Sequence, residues 1–179
     1  NIEDNKENNR WLTIASNPDE NEIVLLTHNS ESKFKQKLTN LQIGEKVKVS
    51  WLDKNLEIID GQEPIVCFAS DVGIAAIRPI IKEWSSKRSI VLNHLDKGVM
   101  VFNKELIELS NKGQDFTYET SEDIEKSKEK LKKVADMHGN RAIYLLSGQP
   151  NDVESVKKLL ESAGISKEKI KIDSFKGLK

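Results

Sequence analysis

Ile65-Val66-Cys67-Phe68-Ala69 is a continuous apolar run that leads directly into the turn Ser70-Asp71-Val72-Gly73. An apolar run of this length without a polar interruption is typical of a strand buried on both faces of a parallel sheet. A helical pattern follows and extends to Trp84, so the segment predicts a strand, a turn and a helix. In open parallel sheets, ligands bind at the carboxyl ends of the strands, where such turns meet helix N-termini. The turn is therefore the first candidate binding site.

The same alternation continues toward the end of the chain. Further strands are predicted at 89–93, 116–119, 142–146 and 170–172, and further helices at 102–109, 122–137 and 152–163. Gly113, Gly139 and Gly164 fall where helices should end, because a left-handed C-cap favours glycine. The pattern predicts an α/β nucleotide-binding domain with a mostly parallel five-stranded sheet covered on both faces.

Residues 1–61 have a different pattern. Strands are predicted at 12–15, 23–27 and 46–51, with a helix at 33–41. Three strands and a helix form a poor domain by themselves, so we expect them to be part of an antiparallel β-barrel. Gly61-Gln62-Glu63-Pro64 is the predicted boundary, which divides the chain into domains at 1–61 and 62–179.

Composition excludes several function classes. The 28 Lys and Arg residues are balanced by 29 Asp and Glu residues, so no basic footprint for nucleic acid is present. No apolar run approaches the roughly 18 residues of a membrane span. Cys67 is the single cysteine, which excludes an internal disulfide and predicts a buried small side chain. The three histidines lack ligand spacing, so we predict no metal site.

The chemistry of the first turn is mixed. Gly73 and its small neighbours would allow backbone N–H groups to approach a phosphate. Asp71 would repel a phosphate unless its carboxylate caps the following helix. Ser147-Gly148-Gln149-Pro150 ends the fourth predicted strand and should lie beside the first turn. The pattern alone leaves nucleotide binding open.

Several segments together resemble a known family. The N-terminal ones resemble the flavin-binding domain of ferredoxin-NADP reductase-like flavoproteins: Arg10-Trp11-Leu12-Thr13-Ile14-Ala15-Ser16, Ser32-Lys33-Phe34-Lys35-Gln36-Lys37-Leu38 and Leu41-Gln42-Ile43-Gly44-Glu45. Phe68 to Ile74 is similar to the family's pyridine-nucleotide turn, Ser147 to Pro150 to its Cys-Gly-Pro segment, and Asp173 to Leu178 to its terminal segment. The resemblance covers residues 10–178 in order.

The resemblance implies FAD and NAD(P)H as cofactors and hydride transfer between two stacked rings. It implies that Thr13 and Ser147 border the reacting atoms and are the catalytic residues. The implied cofactor-binding residues are Arg10, Trp11, Leu12, Thr13, Ser32, Lys33, Phe34, Gly73, Ile74, Gly148 and Phe175. From the residues alone, Arg10 could instead be a surface cation, Thr13 an ordinary strand residue and Ser32 a helix cap.

This sequence departs from the family pattern at several contacts. Leu12 replaces a flavin-stacking tyrosine, Asn29 a glycine, Ser70-Asp71 a pair of glycines, and Ser147 a cysteine. Asn93-His94 stand where NADP-preferring relatives carry Ser-Arg, which favours NADH over NADPH.

Two functions remain open. The first is a flavin-dependent oxidoreductase that passes electrons from NAD(P)H through FAD to a redox protein or domain. The second is a degenerate binding or interaction module that keeps the fold with weak or no cofactor binding. We expect the cytoplasm, or the cytoplasmic face of a membrane if an upstream anchor is missing, as the location.

Overall fold

The computed structural model describes residues 10–50, 56, 58, 61–112 and 115–174. The helices are α1 (Lys33–Thr39), α2 (Ile74–Trp84), α3 (Asn103–Ser110), α4 (Ile124–His138) and α5 (Pro150–Ser162). The strands are β1 (Ile65–Ser70), β2 (Ile90–Leu95), β3 (Phe116–Ser121), β4 (Ile143–Gly148) and β5 (Ile170–Ser174). None of the helices in these residues is long and apolar enough to cross a membrane.

The five strands form one sheet in the order β3-β2-β1-β4-β5, and every neighbouring pair is parallel. Ile65 of β1 is in register with Ile90 of β2 on one side and Ile143 of β4 on the other. The chain thus builds outward from β1 to β3 and then returns to the opposite side of β1. The predicted α/β class with a parallel five-stranded sheet is confirmed, and the strand order reverses between β1 and β4.

Two apolar layers cover the sheet. On one face, Ile65, Cys67 and Ala69 pack with side chains of α2 and α3, and on the other, Val66 and Phe68 pack with side chains of α4 and α5. All six residues of β1 are buried, as its continuous apolar pattern predicts. Burial raises the pKa of the Cys67 thiol. Cys67 is therefore a core residue, as expected.

The N-terminal strand predictions need correction. Residues 12–15 and 23–27 are joined by a single antiparallel bridge, Ile14 to Leu25, with the Ala15 N–H donating to the Val24 carbonyl at 2.8 Å. Residues 46–50 form no strand, and Val47 and Val49 are each 58% exposed. Alternating apolar residues become a strand when a neighbouring strand pairs with them, and none of the described strands does so. Trp51 and Gly113 lie outside the described residues.

Arg78 joins the N-terminal segment to the α/β domain. Its guanidinium on α2 donates to both oxygens of Glu20 at 2.7 and 2.9 Å and to both oxygens of Glu105 at 2.7 and 2.8 Å. It also donates to the Ala15 carbonyl at 2.7 Å and lies 4.7 Å from the centroid of the Phe102 ring. The Arg78 side chain, which is 7% exposed, therefore binds all of these partners at once.

The charges of this cluster are tightly coupled. Hydrogen bonds from Arg78 and Lys82 hold the pKa of Glu20 well below its usual range. Burial alone would lower the pKa of Arg78, but Glu20 and Glu105 hold it above its ordinary value. Glu20 and Arg78 are therefore both ionised at neutral pH, and the N-terminal segment is fixed to α2 and α3 by charge-assisted hydrogen bonds.

We predict that Arg78→Met lowers the free energy of unfolding by about 2–4 kcal/mol, because it leaves partly buried carboxylates without their main partner. Chemical denaturation measures the change. Lys132→Met is the matched control, since it breaks the exposed ion pair between Lys132 and Asp136, which should contribute less than about 1 kcal/mol. Equal losses in the two variants would contradict the anchoring role of Arg78.

Candidate functional site

The turns after β1 and β4 interlock at the point where the strand order reverses. A Cβ atom on Gly73 would lie 2.3 Å from the Ser147 carbonyl oxygen. A Cβ atom on Gly148, whose φ is +144°, would lie 2.2 Å from Ser70 Oγ. Both glycines are therefore required by the close approach of the two backbones. Ile74 follows as the buried first residue of α2.

Asp71 lies in the left-handed region, with φ at +57°. Its Oδ2 is 2.5 Å from His28 Nε2 and accepts a hydrogen bond from Gln149 Nε2 at 2.9 Å. The carboxylate does not cap α2, whose N-terminus has no side-chain cap, so that sequence-based alternative is wrong. Asp71 instead connects three parts of the chain: the segment before α1, the β1 turn and the β4 turn.

Ser147 is fully buried near the end of β4, in register with Ala69 of β1. Its hydroxyl has no hydrogen-bond partner among the described residues. A buried hydroxyl without a partner is uncommon, and a polar group bound at this edge would satisfy it. Ser147 and Gly148 lie next to Gly73, as the topology of a parallel sheet predicts.

His94 near the end of β2 is buried and belongs to a polar chain on the same sheet face. Tyr118 donates its hydroxyl hydrogen to Asn103 Oδ1 at 2.9 Å, and its oxygen lies 3.2 Å from His94 Nδ1. Burial lowers the pKa of His94 to about 4, against a weaker opposing effect of Asp96. His94 is thus neutral at pH 7.

The N-terminal candidates form a second group. The Arg10 guanidinium lies 5.7 Å from the centroid of the Phe34 ring, and Ser32 Oγ caps α1 by accepting the Lys35 N–H at 3.3 Å. Trp11 is 75% exposed, while Leu12 and Thr13 are half-buried beside the Ile14 bridge. A shallow groove runs beside α1, lined by Lys33, Gln36, Lys37, Asn40, Leu41 and Glu45. Phe175 lies outside the described residues.

The structure brings Arg10 together with Phe34, and Gly73 together with Ser147 and Gly148. The His28–Asp71 contact joins the segment four residues before Ser32 to the turn after β1. Sequence reasoning missed His28, Gln149 and Arg78 as organising residues. His28 and Gln149 stand 43 and 78 residues from Asp71, and no local pattern signals contacts at such separations.

These features define a doubly wound parallel α/β domain. Its candidate ligand edge, meaning the side of the sheet where the carboxyl ends of the strands lie, is centred between β1 and β4. No protein-family model matches the sequence, and no curated protein matches it. Solved structures do share the fold. A cytochrome P450 reductase from Amycolatopsis matches with a TM-score of 0.70 and 17% identity, over 92% of this chain and 55% of the other.

Two further structures show the same likeness. The CS-b5R domains of human Ncb5or in the NAD+ form match with a TM-score of 0.67 and 19% identity, over 84% of this chain and 48% of the other. The ferredoxin reductase in carbazole 1,9a-dioxygenase matches with a TM-score of 0.62 and 12% identity, over 85% of this chain and 48% of the other. The chain spans about half the length of these proteins. The chain shares the fold of these structures, and the resemblance seen in the sequence is confirmed at the level of the fold.

The two implied cofactors fit the described residues unequally. The cation of Arg10 and the capped start of α1, with Lys33 beside it, suit the diphosphate of FAD. The β1 turn does not suit a dinucleotide as it stands. Asp71 places a carboxylate there, and the Ser147 carbonyl fills the space beside Gly73.

We predict that Gly73→Ala lowers the free energy of unfolding by about 3 kcal/mol or more, because the added methyl overlaps rigid strand backbone. Gly98→Ala is the control: nothing lies within 4 Å of its added Cβ, and left-handed strain alone should cost about 1 kcal/mol. Urea titration measures both. A Gly73→Ala variant as stable as Gly98→Ala would contradict the interlocking of the two turns.

The buried neutral His94 predicts a pH dependence of stability. Its folded pKa lies below the ordinary 6.5, so its contribution is complete above pH 6.5 and is lost as pH falls toward 4. Acidification from pH 7 to 4.5 should therefore cost the wild type about 2–3 kcal/mol through this group. His94→Gln should remove that part of the slope in denaturation curves, whereas His138→Gln should retain it. Identical slopes in all three proteins would refute the assignment.

Proposed function

We propose that the chain belongs to a flavin-dependent oxidoreductase in which electrons from NAD(P)H pass through FAD to a redox protein or domain. The observation that carries the proposal is the contact of His28 with Asp71, which holds the segment before α1 at the carboxyl end of β1. The Arg10–Phe34 pair and the capped start of α1 belong to the same N-terminal segment. A segment with a cation and a helix start, held where the strand order of a parallel sheet reverses, suits the diphosphate of FAD.

In this proposal the N-terminal segment holds FAD. Arg10 pairs with its diphosphate, and Ser32, Lys33 and Phe34 support the same group at the start of α1. Trp11, Leu12 and Thr13 border the ring system, where Thr13 donates a hydrogen bond. When bound, FAD supplies the capacity to accept two electrons and release them singly. The protein contributes orientation and electrostatics.

The sheet edge would receive the reduced dinucleotide, with Gly73, Ile74 and Gly148 at the backbone approach, Ser147 at the reacting end and Phe175 in the terminal segment. NADH is favoured over NADPH. His94 is neutral at pH 7, and the Asn93 amide donates to Ser121 Oγ at 2.8 Å. Neither group offers the positive charge that a 2′-phosphate needs.

The electron acceptor in this proposal is a separate redox protein or domain. The similar structures include a cytochrome P450 reductase and a ferredoxin reductase. We place the flavin-binding part at 1–61 and the dinucleotide-binding part at 62–179. The proposed location is the cytoplasm or the cytoplasmic face of a membrane.

A specific observation favours the second candidate function, a non-catalytic binding module of the same fold. Asp71 occupies the turn where a dinucleotide would approach, and its carboxylate is already bound by His28 and Gln149. A module that had lost its electron donor would tolerate this arrangement.

A visible absorption spectrum separates the two candidates. The oxidoreductase should show flavin bands after addition of FAD and removal of excess, and these bands should bleach when NADH is added without oxygen. A chain that stays colourless in the presence of FAD would contradict the proposal and leave the binding module.

We predict that Arg10→Ala weakens FAD binding, because a charge-assisted contact contributes about 1.5–3 kcal/mol. A fluorescence titration with FAD measures the affinity. Arg141→Ala is the matched control, since Arg141 donates to the carbonyls of Met137 and His138 at the far end of α4. Unchanged affinity in Arg10→Ala would remove Arg10 from the site.

A further inference from the structure

The turn between β1 and α2 already holds an anion, which is the carboxylate of Asp71. Its side chain is 9% exposed and is bound from two sides, by His28 Nε2 and Gln149 Nε2. Gln149 is itself fixed, because its backbone N–H donates to Ser70 Oγ at 3.0 Å. The carboxylate is therefore held in place at the candidate ligand edge.

A second contact crosses the same edge. Lys97 follows β2, Asp152 lies in the first turn of α5 after β4, and their Nζ and Oδ2 atoms are 3.1 Å apart. Because β1 lies between β2 and β4 in the sheet, this ion pair passes over the carboxyl end of β1. Two side-chain contacts, at Asp71 and between Lys97 and Asp152, therefore cross the point where the strand order reverses.

We propose that the His28–Asp71–Gln149 contact is an intramolecular closure of the dinucleotide turn, so that NAD(P)H binds only when this contact opens. The inference rests on the proposed function, since it concerns access to that same site. The Asp71 carboxylate occupies the turn in place of the dinucleotide, and His28 holds it there. Because His28 belongs to the N-terminal segment, access to the turn is coupled to the position of the proposed flavin-binding part.

Electrostatics gives the closure its selectivity. A carboxylate in a partly buried turn repels the diphosphate of a dinucleotide much more strongly than it would in water. Displacing it also breaks both of its charge-assisted contacts. A neutral ligand would not be repelled by the carboxylate. The closure therefore discriminates by charge as well as by shape.

The test compares NADH binding to the wild type, Asp71→Asn, Asp71→Gly and His28→Ala by isothermal titration calorimetry. Asparagine keeps the shape and tolerates the left-handed backbone, so Asp71→Asn should fold even if Asp71→Gly does not. The matched control is Asp136→Asn, an exposed carboxylate on α4. FAD binding is measured separately on every protein, which tests the proposed function independently.

We expect Asp71→Asn to bind NADH at least about tenfold more tightly than the wild type, because a full charge leaves the turn. His28→Ala should show a smaller gain, since the carboxylate remains, and Asp136→Asn should show none. Equal NADH affinity in the wild type and Asp71→Asn would overturn the closure, as would the absence of NADH binding in all variants. If FAD binds in either of those cases, the closure has failed while the flavoprotein assignment stands; if it does not, both have failed.

Discussion

The buried guanidinium of Arg78 is the interaction on which the relation between the two parts of the chain depends. It binds Glu20 from the N-terminal segment and Glu105 from α3, while its own helix packs on the central strand β1. Such a cluster is stable because each charge has a close partner of opposite sign, and a missing partner would leave the others uncompensated. The N-terminal segment can therefore present His28 to the sheet edge at a defined position.

The sheet was predictable because its signals are local. Apolar runs such as 65–69 and 142–146 and the glycines at 139 and 164 specify strands and helix ends within a few residues. The strand predictions at 12–15, 23–27 and 46–51 relied on the same signals without a paired neighbour. A strand depends on its partner, so Val47 and Val49 stay exposed despite a suitable pattern.

The residues of the two turns at the candidate site were predictable from the sequence, whereas the side-chain contacts between them were not. Gly73, Ser147 and Gly148 were placed together from the topology of parallel sheets, because strand ends meet at one edge. The contacts of Asp71 depend on tertiary placement, and its capping role was the natural local expectation. The fold is shared with reductases, whereas the charge at the turn belongs to this sequence, so fold alone does not define the chemistry.

The separation of the closing residues along the chain has a consequence for folding. Asp71 and Gln149 are 78 residues apart, and they meet only after β4 has paired with β1 from the opposite side. Pairings of such long range are intrinsically slow, because the entropy of closing the intervening loop must be overcome first. An incompletely folded chain would therefore have an open turn with a free carboxylate. The Asp71–Gln149 hydrogen bond thus depends on the long-range pairing of β4 with β1.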